Sequence, residues 1–131
     1  MKVIAPGGAS QANQAAIEAA TDENTYIPPD LLIHSRGVAK VWCNITAAGV
    51  LSSPDHGVST VGDTGTGDRD INFTTAFSDA DMAIAGEILQ NDNERECQYH
   101  TLTTADVQHV IHNDAGVAVD LITGTVIFGD Q

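Results

Sequence analysis

Polar and apolar residues alternate from Ala39 to Thr46, with Val41, Cys43 and Ile45 on one side and Lys40, Trp42, Asn44 and Thr46 on the other. A period of two predicts a half-buried β-strand. The stretch from Asp70 to Ala76 repeats the pattern, with Ile71 and Phe73 pointing inward. Further strands are expected at 57–62, 81–89, 96–103, 106–112, 117–122 and 124–128. Turn signals rich in Gly, Asn and Asp separate them, at Asp63 to Asp68, Asn91 to Asn93 and Asn113 to Gly116. Segment 81–89 carries helix formers, but Gly86 and its flanks favour a strand. Short strands at this spacing, with no helices between them, predict a mainly β fold, an antiparallel β-sandwich.

The first 36 residues follow a different pattern and are expected to form a leader ahead of a sandwich at 37–131. Gln11 to Ala20 is free of Gly and Pro and predicts a helix, with Ser10 as its N-cap and Thr21 to Asn24 as its stop. Its apolar face, Ala15, Ile17 and Ala19 with Ala12 and Ala16, is thin, so the helix is expected to pack against another copy or another protein. Pro28 and Pro29 extend the chain, after which Asp30 is placed to cap one turn from Leu31 to Ser35.

The 131 residues suit one domain with a short appendage, and a domain of that size gains from burial shared in an oligomer. The formal charge of −13, from 18 acidic residues against 5 Lys and Arg, argues against nucleic acid and anionic lipid as partners. Met1 to Pro6 lacks the apolar core of a signal peptide, and no run reaches the length of a membrane span. Cys43 and Cys97 are expected as buried thiols in a reducing cytosol, although their pairing stays open.

Asp63-Thr64-Gly65 matches the tripeptide of aspartic proteases, whose chemistry needs two carboxylates sharing a proton. Here Gly62, Gly65 and Gly67 crowd round it, which predicts a hairpin turn instead. Asp63, Asp68 and Asp70 offer carboxylates to a calcium ion, but the EF-hand spacing is missing and Arg69 stands among them. His109 and His112, with His100 or Cys97, have the residue types of a zinc site, yet residues three apart on a strand face opposite ways. His34 and His56 complete the histidines. No Gly-x-Ser-x-Gly elbow and no glycine-rich phosphate cradle occurs. The expectation is therefore a non-enzyme with no catalytic residue, no metal and no cofactor. Trp42 is open to two readings, a sugar-stacking platform or a core or inter-subunit residue, and average burial of large aromatics favours the second.

Three segments carry a family resemblance. They are Lys40 to Ile45, then Gly65 to Ala80, then Asn113 to Asp120 with Gly124 to Asp130. In this order they resemble a module recurrent in tailed-bacteriophage fibre and tail-tip proteins. That module has a Lys-Ala-Trp-Val-Asn-Phe-like strand, a Gly-x-Gly-Asp-Tyr-x-x-Asn-Phe-Thr-Thr-like hairpin and a closing Val-x-Val-Phe-Gly strand. Glu18 to Pro29 is similar to the segment that often precedes it. The family's aromatic after Gly-Asp is Arg69 here, and its Val and Phe in the first strand are Cys43 and Ile45.

The resemblance implies a virion protein assembled in the host cytoplasm, a homotrimer with its β module displayed outward. Residues 1–36 would then dock it to other tail or capsid proteins. Host attachment through a surface glycan or protein is the leading use, with loop tips at Ser52 to His56 and Asn91 to Glu94 as contact points. An architectural part of head or tail, without receptor binding, is the alternative. Tyr26, Tyr99 and Trp42 are the few hydrogen-bonding aromatics available for sugars.

Overall fold

The computed structural model describes residues 10–19, 25–26, 29–35, 37–89, 95–113 and 115–131. The chain divides into two units, Met1–Val38 and Ala39–Gln131.

In the first unit, β1 (Ser10–Gln11) pairs in parallel with β2 (Thr25–Tyr26), and helix α1 spans Gln14–Ala19. The expected helix over 11–20 is thus shorter at its start. Asn13 competes with Ser10 for the cap and wins, since its Oδ1 accepts the Ala16 N–H at 2.8 Å. Ser10 and Gln11 are consequently freed to pair with Thr25 and Tyr26. The proposed stop at Thr21 to Asn24 lies outside the described residues. The expected single turn from Leu31 to Ser35 is a 3-10 helix over Pro29–His34. Proline suits a first helical position because no N–H is needed there, so Asp30 falls inside the helix rather than capping it.

The second unit contains eight strands: β3 (Val41–Ile45), β4 (Leu51–His56), β5 (Val58–Gly65), β6 (Asp68–Phe73), β7 (Ala83–Ile88), β8 (Arg95–Leu102), β9 (Asp106–Asn113) and β10 (Thr123–Phe128). They form two four-stranded antiparallel sheets, ordered β4-β3-β10-β7 and β5-β6-β9-β8. The mainly β sandwich read from the alternation is therefore the fold. Segment 81–89 is a strand, as its glycine suggested.

The alternation of each strand decides what fills the space between the sheets. Val41, Cys43, Ile45 and Ile127 come from one sheet, and Val58, Ile71, Phe73 and Val107 from the other. Phe77 packs edge-on to Phe73 with ring centroids 5.1 Å apart. Lys40, expected on the polar face beside Trp42, is instead buried at the strand's entrance, where its N–H donates to the Ile127 carbonyl at 2.9 Å.

Two expectations need correction. Ser52 to His56, taken for a loop tip, belongs to β4, an edge strand whose register shifts between Trp42 and Asn44 of its neighbour. An edge strand tolerates Pro54 and exposed polar residues because only one side of its backbone is paired. Segment 117–122, taken for a strand, makes only a single bridge, His112 to Ala118. Asn113 turns the chain first, its Oδ1 accepting the N–H groups of Ala115 and Val117 at 3.1 and 2.9 Å. The segment then passes from β9 in one sheet to β10 in the other and cannot stay on one ladder.

Candidate functional site

The residues that drew attention in the sequence are dispersed. Asp63-Thr64-Gly65 ends β5 and pairs with β6, so the hairpin turn expected over Asp63 to Asp68 narrows to Thr66 and Gly67. Gly67 holds φ at +70°, and a Cβ there would sit 2.7 Å from the carbonyl oxygens of Ile111 and Val119, so only glycine fits. Asp63 shares the Arg69 face of its ladder, while the alternation of β6 turns Asp68 and Asp70 the other way, so the three carboxylates do not converge.

What Asp63 meets is Arg69, whose side chain is 2% exposed in the mouth of the sandwich. Its Nη1 donates to Asp63 Oδ1 at 2.8 Å, Gly65 O at 2.9 Å and Asp68 O at 3.0 Å. Its Nη2 donates to Ala47 O at 2.9 Å and Asp120 Oδ1 at 2.8 Å. Asp120 also accepts the Gly67 N–H at 2.7 Å, and these two bonds hold its carboxyl below the usual carboxylate range, the backbone bond foremost. One guanidinium thus ties the β3–β4 turn, the β5–β6 hairpin and the β9–β10 crossover together.

The histidines do not gather either. His109 is wholly buried between the sheets, edge-on to Tyr99 at 6.3 Å, while His112 is half-buried and His100 exposed. Burial, and then the Arg69 charge, push His109 down to about 4. Neither of its ring nitrogens has a hydrogen-bond partner among the described residues. Among those residues no group of three His, Cys, Asp or Glu stands close enough to hold a metal ion. Cys43 and Cys97 are thiols, and burial raises both above the ordinary range, Cys43 to about 11. The inner face therefore holds inert thiols and a neutral imidazole rather than reactive groups.

The outer face of the β4-β3-β10-β7 sheet offers more. Register sets Trp42, Val126 and Ala85 in one row across it, and Asn44, Gly124 and Glu87 in the next. His56 extends the first row and Ser52 the second. Because Gly124 has no side chain, Asn44 Oδ1 and the Leu89 methyls lean over the middle of the second row, and they floor a trough of about 470 Å³ walled by Trp42. A Cβ at Gly124 would lie 3.0 Å from Asn44 Oδ1 and 3.3 Å from a Leu89 methyl, so any larger residue pushes them up into it. Leu89 is 49% exposed on this side, and Val50 and Ile122, 59% and 38% exposed, stand just before β4 and β10.

Trp42 is accordingly a half-buried wall of this trough on the outer face and not a core residue, which removes the core half of the reading drawn from average burial. Asn44, Glu87, Leu89 and Gly124 were not singled out from the sequence. The available signal was Gly124 itself, a glycine inside a strand, which marks a close approach of something to the backbone. The loop tip at Asn91 to Glu94 lies outside the described residues. No protein-family model, curated protein or solved structure matches this chain.

Proposed function

We propose that the chain is a non-enzymatic structural protein of a tailed-bacteriophage particle, an exposed fibre or spike module used in host attachment. The observation that carries the attachment reading is the Trp42-walled trough on the outer face of a sheet. A half-buried indole beside a row of polar side chains with a glycine at its centre is a binding arrangement, and it sits on β3, an inner strand with a neighbour on either side. The family resemblance supports the virion setting, and its motifs map onto β3, the β5–β6 hairpin and β10, the segments that frame the trough and the Arg69 clamp. Dispersal of the candidate nucleophiles, bases and carboxylates supports the non-enzymatic part.

In this reading residues 1–36 dock the protein to other virion proteins and support a homotrimer. Antibody labelling of intact particles by electron microscopy tests it: label on fibres or spikes is expected, and its absence from particles produced alongside the chain overturns the reading. A second, architectural reading draws on the exposed Val50, Leu89 and Ile122, which suit a protein–protein contact. Label confined to the head surface or to the joint of head and tail would favour it.

A further inference from the structure

We infer that the trough binds one uncharged pyranose ring of a surface saccharide, with preference for a ring bearing an apolar substituent such as an acetamido methyl. The inference rests on the attachment reading and names its ligand. Trp42 supplies a flat apolar surface for the C–H face of a sugar, and its indole N–H a single donor.

Asn44 and Glu87 flank Gly124 in register, two strand spacings apart, about 10 Å between backbones. A single six-membered ring lying above this floor, over Asn44 Oδ1 and the Leu89 methyls, can take a hydrogen bond of about 2.8 Å on either side. The amide both donates and accepts and the carboxylate only accepts, a set that suits hydroxyls, each of which does both. Leu89 is part of the floor and gives a methyl substituent an apolar partner.

Other occupants fit less well. The Glu87 carboxylate and a chain charge of −13 repel phosphorylated or carboxylated sugars. A peptide adding as a strand needs free backbone groups, which this sheet offers only at its edges, along β4 and β7, and so beside the trough rather than in it. The volume of about 470 Å³ lies within the range of small-ligand clefts, about 300–1,000 Å³.

The test uses the full chain with methyl glycosides of glucose, galactose and N-acetylglucosamine, and with glucose 6-phosphate as the anionic control. Titration followed by calorimetry and by Trp42 fluorescence is expected to give saturable binding of a neutral glycoside. The N-acetylated ring should bind several-fold tighter than its parent, and the phosphate should not bind. Gly124→Val, which pushes Asn44 and Leu89 up into the trough from a half-buried strand position, should weaken binding at least tenfold with an unchanged circular dichroism spectrum. Glu87→Gln, nearly isosteric, should weaken it several-fold and serves if the valine variant misfolds. Absence of saturable binding to any neutral glycoside, or binding that these variants leave intact, overturns the inference. Labelled chain is also applied to a panel of bacterial cells. Cell binding that survives Gly124→Val and excess glycoside sinks the trough while attachment stands. Failure to bind any cell counts against attachment, while the titration still decides the trough.

Discussion

Arg69 makes five hydrogen bonds from an almost fully buried side chain, yet its two carboxylate partners are about half exposed, 53% and 46%. The ion pairs are therefore worth less than their distances suggest, and the carbonyls of Ala47, Gly65 and Asp68 matter more. Arg69→Met should cost about 2–3 kcal/mol in urea unfolding. Arg69→Lys should recover little, because an ammonium cannot span acceptors arranged for a planar fork. A midpoint equal to wild type in either variant would remove the clamp from the account of stability.

His109 poses the opposite case, a buried polar ring without a partner. Its neighbours are Arg69, which disfavours its charge, Asp68, which favours it, and the Tyr99 ring. Its folded value of about 4 lies below the ordinary 6.5, so the unfolded chain takes up the proton first as pH falls. The stability tied to its neutral form is complete above pH 6.5 and is lost towards pH 4, about 3 kcal/mol in all. Asp120, lowered from 3.8, acts in a separate window and loses its share only as pH falls through its lowered value. His109→Leu should be close to neutral at pH 7. Between pH 7 and pH 4 the wild type should lose about 3 kcal/mol more than the variant in urea melts. Parallel curves for the two proteins would exclude His109 as the titrating group.

At the scale of elements, Gly86 and Gly124 lie on neighbouring strands and open space on opposite faces of one sheet. Gly124 makes room for Asn44 and Leu89 on the outside, whereas Gly86 admits Tyr99, whose hydroxyl occupies the place of a Cβ. Burial drives that phenol up to about 12, so it stays neutral. Gly86→Ala should destabilise by about 2 kcal/mol through overpacking, and Tyr99→Phe should relieve part of that cost in the double variant. Additive effects in the double-mutant cycle would show that the two residues do not meet.

The elements most legible in the sequence were those with clean alternation, such as β3 and β6, because one buried face fixes the period. β4 was not legible, since an edge strand bearing Pro54 has the composition of a loop. The crossover at 117–122 misled in the other direction. Its Val117, Ala118 and Val119 have strand character, but Asp120 is drawn to Arg69 and Gly67, contacts distant in sequence. The trough escaped for the same reason: Asn44, Glu87 and Gly124 become neighbours only through register between three strands. Trp42 alone was visible, because its residue type is informative without its neighbours.

At the scale of the whole molecule, every residue of the sandwich core cluster falls between Val41 and Ile127, inside the unit Ala39–Gln131. That unit should fold without the residues before it. Expressed alone, residues 39–131 should unfold in one cooperative urea transition with the midpoint of the full chain's β signal, and a non-cooperative melt would overturn this. If residues 1–36 hold a trimer, light scattering should give a trimer for the full chain and a monomer for the shortened one. A monomeric full chain would remove the trimer from the proposal.

The guanidinium at the mouth of the sandwich also bears on where the protein can work. Extracellular β domains whose loops are gathered by a bound ion depend on the ion's concentration in the surrounding fluid. Here the gathering cation is carried by the chain itself, through Arg69. The three loops it joins should hold their arrangement in media rich in citrate or other chelators, so at this end the module is indifferent to the mineral content of its surroundings.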